Sequence, residues 1–347
     1  MPRNDRFLKA CRGESVDKLP VWLMRQAGRY MPEYRSIRKR HSFLEMIGTP
    51  EVAAEITLQP VRAFDVDAAI VFSDILPTLC ELGFELSYME KTGPVIANAV
   101  RSPDDLSRLR RPGDRGQAQA TCDAIRLACE ALDGTVPVIG FAGAPFTLAG
   151  YAIEGGSSSD FLTTKRFLRE HPESFRRLLG HITDAIIEYL AGQVEAGASA
   201  IQLFDSLAGV LAPSDYVEYA LPYARRIIDS LGKTGLPRIY FSTGTAGMLP
   251  LLKNTGADVI GIDWRVSMSH ARTLLGPEVT IQGNLDPTAL ISSGDEMTRQ
   301  ADAVLREING APRHVFNLGH GVLKETPVER VRQLVNLVHA YKPARQS

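Results

Sequence analysis

Pro20-Val21-Trp22-Leu23-Met24-Arg25-Gln26-Ala27-Gly28-Arg29-Tyr30 opens as a buried strand, then places two arginines four residues apart around a glycine. Both a doubly wound open sheet and a (β/α)8 barrel can begin with an apolar strand, and the loop after it separates them. Arg25-Gln26-Ala27-Gly28 is not a dinucleotide loop, because no GxGxxG follows the strand. The planar fork of arginine binds both oxygens of a carboxylate at once and keeps its charge. Gly28 lets the backbone turn sharply or approach a ligand closely. The stretch therefore reads as a strand ending in a loop that can receive a polyanion. The spacing alone also allows a surface turn with solvated arginines.

Seven more short β-rich runs follow: Ala68–Ser73, Val136–Phe141, Ala200–Phe204, Arg238–Phe241, Val259–Ile262, Thr280–Gln282 and His314–Asn317. They are continuous apolar segments rather than alternating ones, as buried parallel strands should be. Amphipathic helices lie between most of them. Ser174–Ala196 is the longest, with Phe175, Leu178, Leu179, Ile182, Ile186, Leu190 and Val194 at helical spacing. Asp215–Leu231 and Pro327–Ala340 repeat the pattern, the latter with Val328, Val331, Leu334, Val335 and Val338 as its buried stripe. Eight β/α units over residues 1–347 predict a single-domain (β/α)8 TIM barrel, with the doubly wound sheet second. Glu85–Val100, carrying Gly93 and Pro94, predicts a β-hairpin insertion after strand two. Gly155-Gly156-Ser157-Ser158-Ser159 is expected to be a lid or a long turn, and Pro343–Ser347 a frayed tail.

With 44% apolar residues and a net charge of −1, the chain has a large core and no global basic field for nucleic acid. The charge is uneven, since residues 1–50 hold eleven Lys/Arg against five Asp/Glu. Arg35, Arg38, Lys39 and Arg40 read first as a solvated helix face. Cys11, Cys80, Cys122 and Cys129 have no CxxC spacing, which suits reduced thiols in a cytoplasmic protein. The N-terminus lacks an apolar signal-peptide core. Pro137, Pro145 and several glycines break the uncharged run through Val136–Ile153, so no membrane span is expected.

In a barrel, chemistry sits at the C-terminal ends of the strands. Those ends supply Arg25, Arg29, Asp74, the Gly143–Tyr151 segment, Asp205, Ser206, Ser242, Asp263, Trp264, Asn284, Asp286 and His320. A polar ring above apolar strands is the pattern of an active-site mouth. Asp74 follows Ile70-Val71-Phe72-Ser73, where a carboxylate often caps the next helix. Ile75, Leu76 and Pro77 make a plain cap less natural, so a functional role is favoured. Tyr151 could simply pack. Asp205-Ser206 could cap, and Asp263 and Asp286 are expected to be caps or supporting groups. His320 between Gly319 and Gly321 suggests a tight loop presenting the ring. There is no HExxH, paired-cysteine motif, GxSxG elbow or P-loop.

Pro20-x-Trp22-x-Met24-Arg25-Gln26-Ala27-Gly28-Arg29, Gly140–Tyr151 (GFAGAPFTLAGY) and Phe316-Asn317-Leu318-Gly319-His320-Gly321 together resemble the signatures of the uroporphyrinogen decarboxylase family, in the expected order across nearly the whole chain. That resemblance implies loss of four acetate carboxyls from uroporphyrinogen III as CO2, giving coproporphyrinogen III in porphyrin and haem biosynthesis. It implies no cofactor and a homodimer; the residues themselves predict no metal, from the missing ligand spacing, and neither nucleic-acid nor membrane partners, from the charge balance and the broken apolar run. It assigns catalysis to Asp74, Arg25 and Tyr151. Substrate binding falls to Arg25, Gln26, Ala27, Gly28, Arg29, Asp74, Tyr151, Ser206 and His320. Arg25 is a candidate proton donor by position, but arginine's very high pKa makes it a poor acid, and water or a substrate carboxyl are alternatives. Ser242 and Thr243 offer hydroxyls where some relatives carry a charge. Two other classes stay open, a corrinoid or thiol methyltransferase and a non-catalytic tetrapyrrole-binding protein.

Overall fold

The computed structural model describes residues 4–89, 93–110, 116–310 and 313–342. Its centre is a parallel sheet of seven strands, and a two-stranded hairpin stands apart from it. The strands in chain order are β1 (Ala69–Ile70), β2 (Leu86–Met89), β3 (Gly93–Ile96), β4 (Val138–Gly143), β5 (Ala200–Asp205), β6 (Arg238–Ser242), β7 (Val259–Gly261), β8 (Thr280–Leu285) and β9 (His314–Leu318). The sheet runs β1-β4-β5-β6-β7-β8-β9, with each strand beside the next in sequence once the hairpin β2–β3 is set aside. That order, with helices in the crossovers, is the (β/α)8 plan.

The opening stretch closes the barrel without becoming a regular strand. Val21 bridges Phe316 in parallel. Phe316 N donates to Pro20 O at 2.9 Å on one side, and Asp67 N donates to Val21 O at 2.9 Å on the other. The strand expected over Pro20–Met24 is thus reduced to one bridge. Side chains take over the rest of its ladder: Leu23 N donates to Gln26 Oε1 and Met24 N to Asn317 Oδ1, each at 3.0 Å.

Two apolar layers hold the fold. Inside the barrel, Trp22, Met24, Ala68, Ile139, Ala200, Ile239, Phe241, Val259 and Val315 pack against Phe7, Ala10 and Cys11 of the helix Arg6–Arg12. This helix is tied to the start of β8, where Thr280 Oγ1 donates to the carbonyls of Ala10 and Cys11. A polar chain crosses the same interior, from Trp22 Nε1 to Gln282 Oε1 and from Gln282 Nε2 to Gln202 Oε1, both at 3.0 Å. Outside, the helix Pro172–Glu195 buries Phe175, Leu178, Leu179, Ile182, Ile186 and Leu190, as its spacing predicts. The helix Val328–Ala340 buries Val331, Leu334, Val335 and Val338. Each such side chain contributes about 1.5–3 kcal/mol relative to an exposed one.

One expectation needs correction. Asp215–Leu231 is not one helix but two, Pro213–Tyr219 and Leu221–Ser230. Pro222 has no N–H to continue the first, so the ladder breaks at Ala220. The Gly155–Ser159 segment follows the helix Pro145–Glu154, which ends at Gly155 with φ +84°. It is bonded to the hairpin: Ile96 N donates to Gly155 O at 2.9 Å, and Gly156 bridges Val95. The hairpin insertion lies where the sequence placed it, with Leu86 opposite Ile96 and Met89 opposite Gly93. The tail expected to fray lies outside the described residues. Among the described residues, no helix is long and apolar enough to cross a membrane.

Candidate active site at the C-terminal ends of the strands

The arginine loop is held by its inward-facing members. Gln26, 1% exposed, accepts from Leu23 N and donates through Nε2 to Ala68 O at 3.0 Å. Tyr30 Oη donates to Gln26 O at 2.5 Å, and Val322 N donates to Met24 O at 2.8 Å. These bonds hold Arg25 at φ +59°, a left-handed conformation that costs a non-glycine residue roughly 1–3 kcal/mol. The unusual backbone angle thus belongs to Arg25 rather than Gly28. Gly28 is instead a close approach, since a Cβ there would lie 3.2 Å from Arg25 O. Ala27 packs against the outer core. Arg25 and Arg29 are exposed, and among the described residues neither guanidinium makes a hydrogen bond or ion pair.

Asp74 follows β1 in a turn fixed from below. Phe72 N donates to Thr57 Oγ1 at 2.9 Å, and the Ser73 and Thr121 hydroxyls lie 3.0 Å apart. Asp74 Oδ1 accepts from Leu76 N at 3.0 Å. The carboxylate therefore does cap the turn into the helix Pro77–Glu81, and only one oxygen is used for it. Burial raises its pKa above the ordinary carboxylate value, opposed by the Leu76 N–H, the Tyr88 hydroxyl, the Arg25 charge and the Ile75 N–H.

Tyr151 reaches the same place from the helix Pro145–Glu154. Burial raises its phenol pKa first and the Asp74 charge adds to this, while Ser157 and Arg25 oppose. His320 is pushed down to about 4 by burial, with the Arg25 and Arg265 charges acting in the same direction. Its ring is neutral near pH 7. The loop around it needs two glycines: a Cβ on Gly319 would overlap Trp264 N, and one on Gly321 would overlap Arg25 Cδ. Asp74, Arg25 and Tyr151 are within electrostatic reach of one another, and Arg25 also faces His320. Ser206 follows β5 and is part-buried, with its carbonyl accepting from Thr243 Oγ1 at 2.7 Å.

The other polar residues of the ring work inside the protein. Asp205 accepts from Thr147 Oγ1 and Tyr240 Oη, each at 2.7 Å. Asp263 accepts from Gly244 N at 2.7 Å and pairs with Arg265 at 2.5 Å. Asp286 accepts from Thr288 N at 2.9 Å as a cap. Asn284 donates to the carbonyls of Asp263 and Val266. The Ser242 hydroxyl is shared with Thr245, and Thr243 is engaged with Ser206. Sequence reasoning missed Tyr88, which the hairpin brings to Asp74 and Tyr151. The only signal was the half-exposed alternation Leu86-Ser87-Tyr88-Met89. Among the described residues, no group of three or more His, Cys, Asp or Glu could hold a metal ion.

Comparison with known proteins identifies the family of the sequence. The sequence profile of the family described as Uroporphyrinogen decarboxylase (URO-D) matches residues 2–341. A protein of Roseiflexus sp. named uroporphyrinogen decarboxylase is 52% identical over 343 residues, covering 97% of this chain and 99% of its own. A protein of the same name from Chloroflexus aggregans is 50% identical, covering 97% of this chain and 96% of its own. Among solved structures, a methyltransferase from Methanosarcina mazei superposes with a TM-score of 0.82 at 21% identity, covering 97% of this chain and 98% of its own, which speaks to the fold alone. By profile and by identity over nearly its whole length, the chain belongs to the uroporphyrinogen decarboxylase family.

Proposed function

We propose that residues 1–347 act as one catalytic domain that removes the four acetate carboxyls of uroporphyrinogen III, giving coproporphyrinogen III and CO2. The observation that carries this reading is the meeting of Asp74 with Arg25 and Tyr151 at the mouth of the barrel, in a chain of this family.

Each acetate must lose CO2 and leave an electron pair on its methylene carbon. Pyrrole can receive that pair. A proton added to a ring carbon makes an iminium-like cation, and the C–C bond breaks toward it. The methylene then takes a proton and the ring returns one. The net change per arm is one proton consumed and one CO2 released. No external electron sink is required.

The protein's tasks are electrostatic. Arg25 and Arg29 have free guanidinium faces to grip carboxylate arms. The Asp74 oxygen not used by Leu76 can accept pyrrole N–H groups and stabilise the cation as it forms. Tyr151 and neutral His320 orient arms, and Ser206 offers a hydroxyl. Gln26 contributes by holding the loop, and Ala27 and Gly28 by letting backbone approach the substrate. We take the working unit to be a cytoplasmic homodimer, as the family implies; sedimentation equilibrium tests the stoichiometry.

The reading is tested by incubating purified protein, exhaustively chelated and freed of small molecules, with uroporphyrinogen III under reducing conditions. Products with seven, six, five and four carboxyls should accumulate in turn. Unchanged substrate, or activity that returns only with added metal, would overturn it.

A further inference from the structure

Tyr88 lies in β2 of the hairpin, outside the barrel strands. Its ring sits 4.7 Å from that of Phe43, and Phe43 packs edge-on against Phe72 at 6.0 Å, two residues before Asp74. Tyr34 closes the other side of Phe72 at 5.6 Å. This aromatic row fixes the hairpin to the end of β1. The Tyr88 hydroxyl at its tip is buried and, among the described residues, makes no hydrogen bond of normal geometry.

A buried hydroxyl without a partner is unfavourable and calls for an acceptor. The ionisable groups facing Tyr88 are Asp74, Cys80 and Tyr151. A thiol and a phenol are weak acceptors, so the carboxylate is the strong one. Asp74 has already given Oδ1 to Leu76 N, which leaves its other side undefined. We infer that Tyr88 is a positioning residue for Asp74, its hydroxyl orienting the carboxylate once substrate drives water from the cleft. The inference rests on the proposed role of Asp74 and makes the hairpin insertion part of the active site.

The test is a carboxyl 13C NMR titration of Asp74 in the full chain, wild type and Tyr88→Phe. The signal is assigned by its loss in Asp74→Asn. Phe keeps the ring and its packing on Phe43. The groups facing Asp74 are Arg25 on the first loop, Cys80 on the helix Pro77–Glu81, Tyr151 on the helix Pro145–Glu154 and Tyr88 on the hairpin. Only the last changes. A donor that favours the ionised carboxylate is lost, so Asp74 should titrate at higher pH in Tyr88→Phe. The acid limb of kcat/KM should move the same way, and kcat should fall roughly tenfold with KM near wild type. An unmoved titration overturns the inference, even if turnover falls. A wild-type protein that does not decarboxylate would refute the proposed function, while the titration would still decide the role of Tyr88.

Discussion

The aliphatic stem of Arg25 lies flat on Gly321, where any Cβ would overlap its Cγ and Cδ. The first loop and the loop after β9 are therefore fitted to each other at the mouth. The arginine's reach depends on a residue almost three hundred positions away. Gly321→Ala should leave the fold intact but displace the guanidinium, raising KM with a smaller effect on kcat. Steady-state kinetics beside a thermal melt checks this, and an unchanged KM would mean that Arg25 does not need that bed.

Arg29 is exposed and, among the described residues, its guanidinium has no partner, while its carbonyl accepts from Arg35 at 3.1 Å. Arg29→Lys retains the charge but loses the fork. The expected cost is about 1.5–3 kcal/mol in kcat/KM, the worth of one charge-assisted contact. Wild-type kinetics in this variant would return Arg29 to the solvated surface.

His320 gives a pH dependence with a definite sign. Its pKa in the fold is about 4, below the ordinary value of 6.5. The unfolded chain therefore binds more protons between those values, and stability is lost as pH falls from about 6.5 toward 4. Replacement by Asn removes the titration, so His320→Asn should show a flatter melting temperature over that window. Parallel curves for the two proteins would contradict the assignment.

Most of the fold was legible because strand burial writes itself as short apolar runs and helix burial as a 3.6-residue stripe. Seven of the eight runs became strands of the sheet, and the stripes of Ser174–Ala196 and Pro327–Ala340 faced inward as read. The first run was harder. Its pairing to Phe316 is completed by Gln26 and Asn317 side chains, which no local pattern announces. The break at Ala220 was visible in Pro222 but overridden by the continuing apolar pattern.

The site was legible where a strand end carries a polar residue, because parallel β/α order fixes which end faces the cleft. Asp74 and His320 are candidates on that ground, whereas Tyr151, inside the helix Pro145–Glu154, is a candidate only through the family signature; Asp263 and Asp286 make the supporting hydrogen bonds expected of them. Two things were not readable. The side chain of Gln26 turns inward, which composition cannot show. Tyr88 enters from an insertion whose placement depends on the packing of Phe43 on Phe72.

The measurement that bears most directly on the account is decarboxylation by Asp74→Asn. Asparagine keeps an oxygen for Leu76 N, so the turn into Pro77–Glu81 should hold and the melt should stay near wild type. The negative charge is gone, and the amide N–H2 meets the pyrrole N–H groups as donor against donor. Loss of such a preorganised contact costs on the order of a hundredfold or more in turnover. The account predicts a folded Asp74→Asn protein with turnover reduced by at least that factor. A folded variant with wild-type turnover would contradict the electrostatic role of Asp74 and the mechanism built on it.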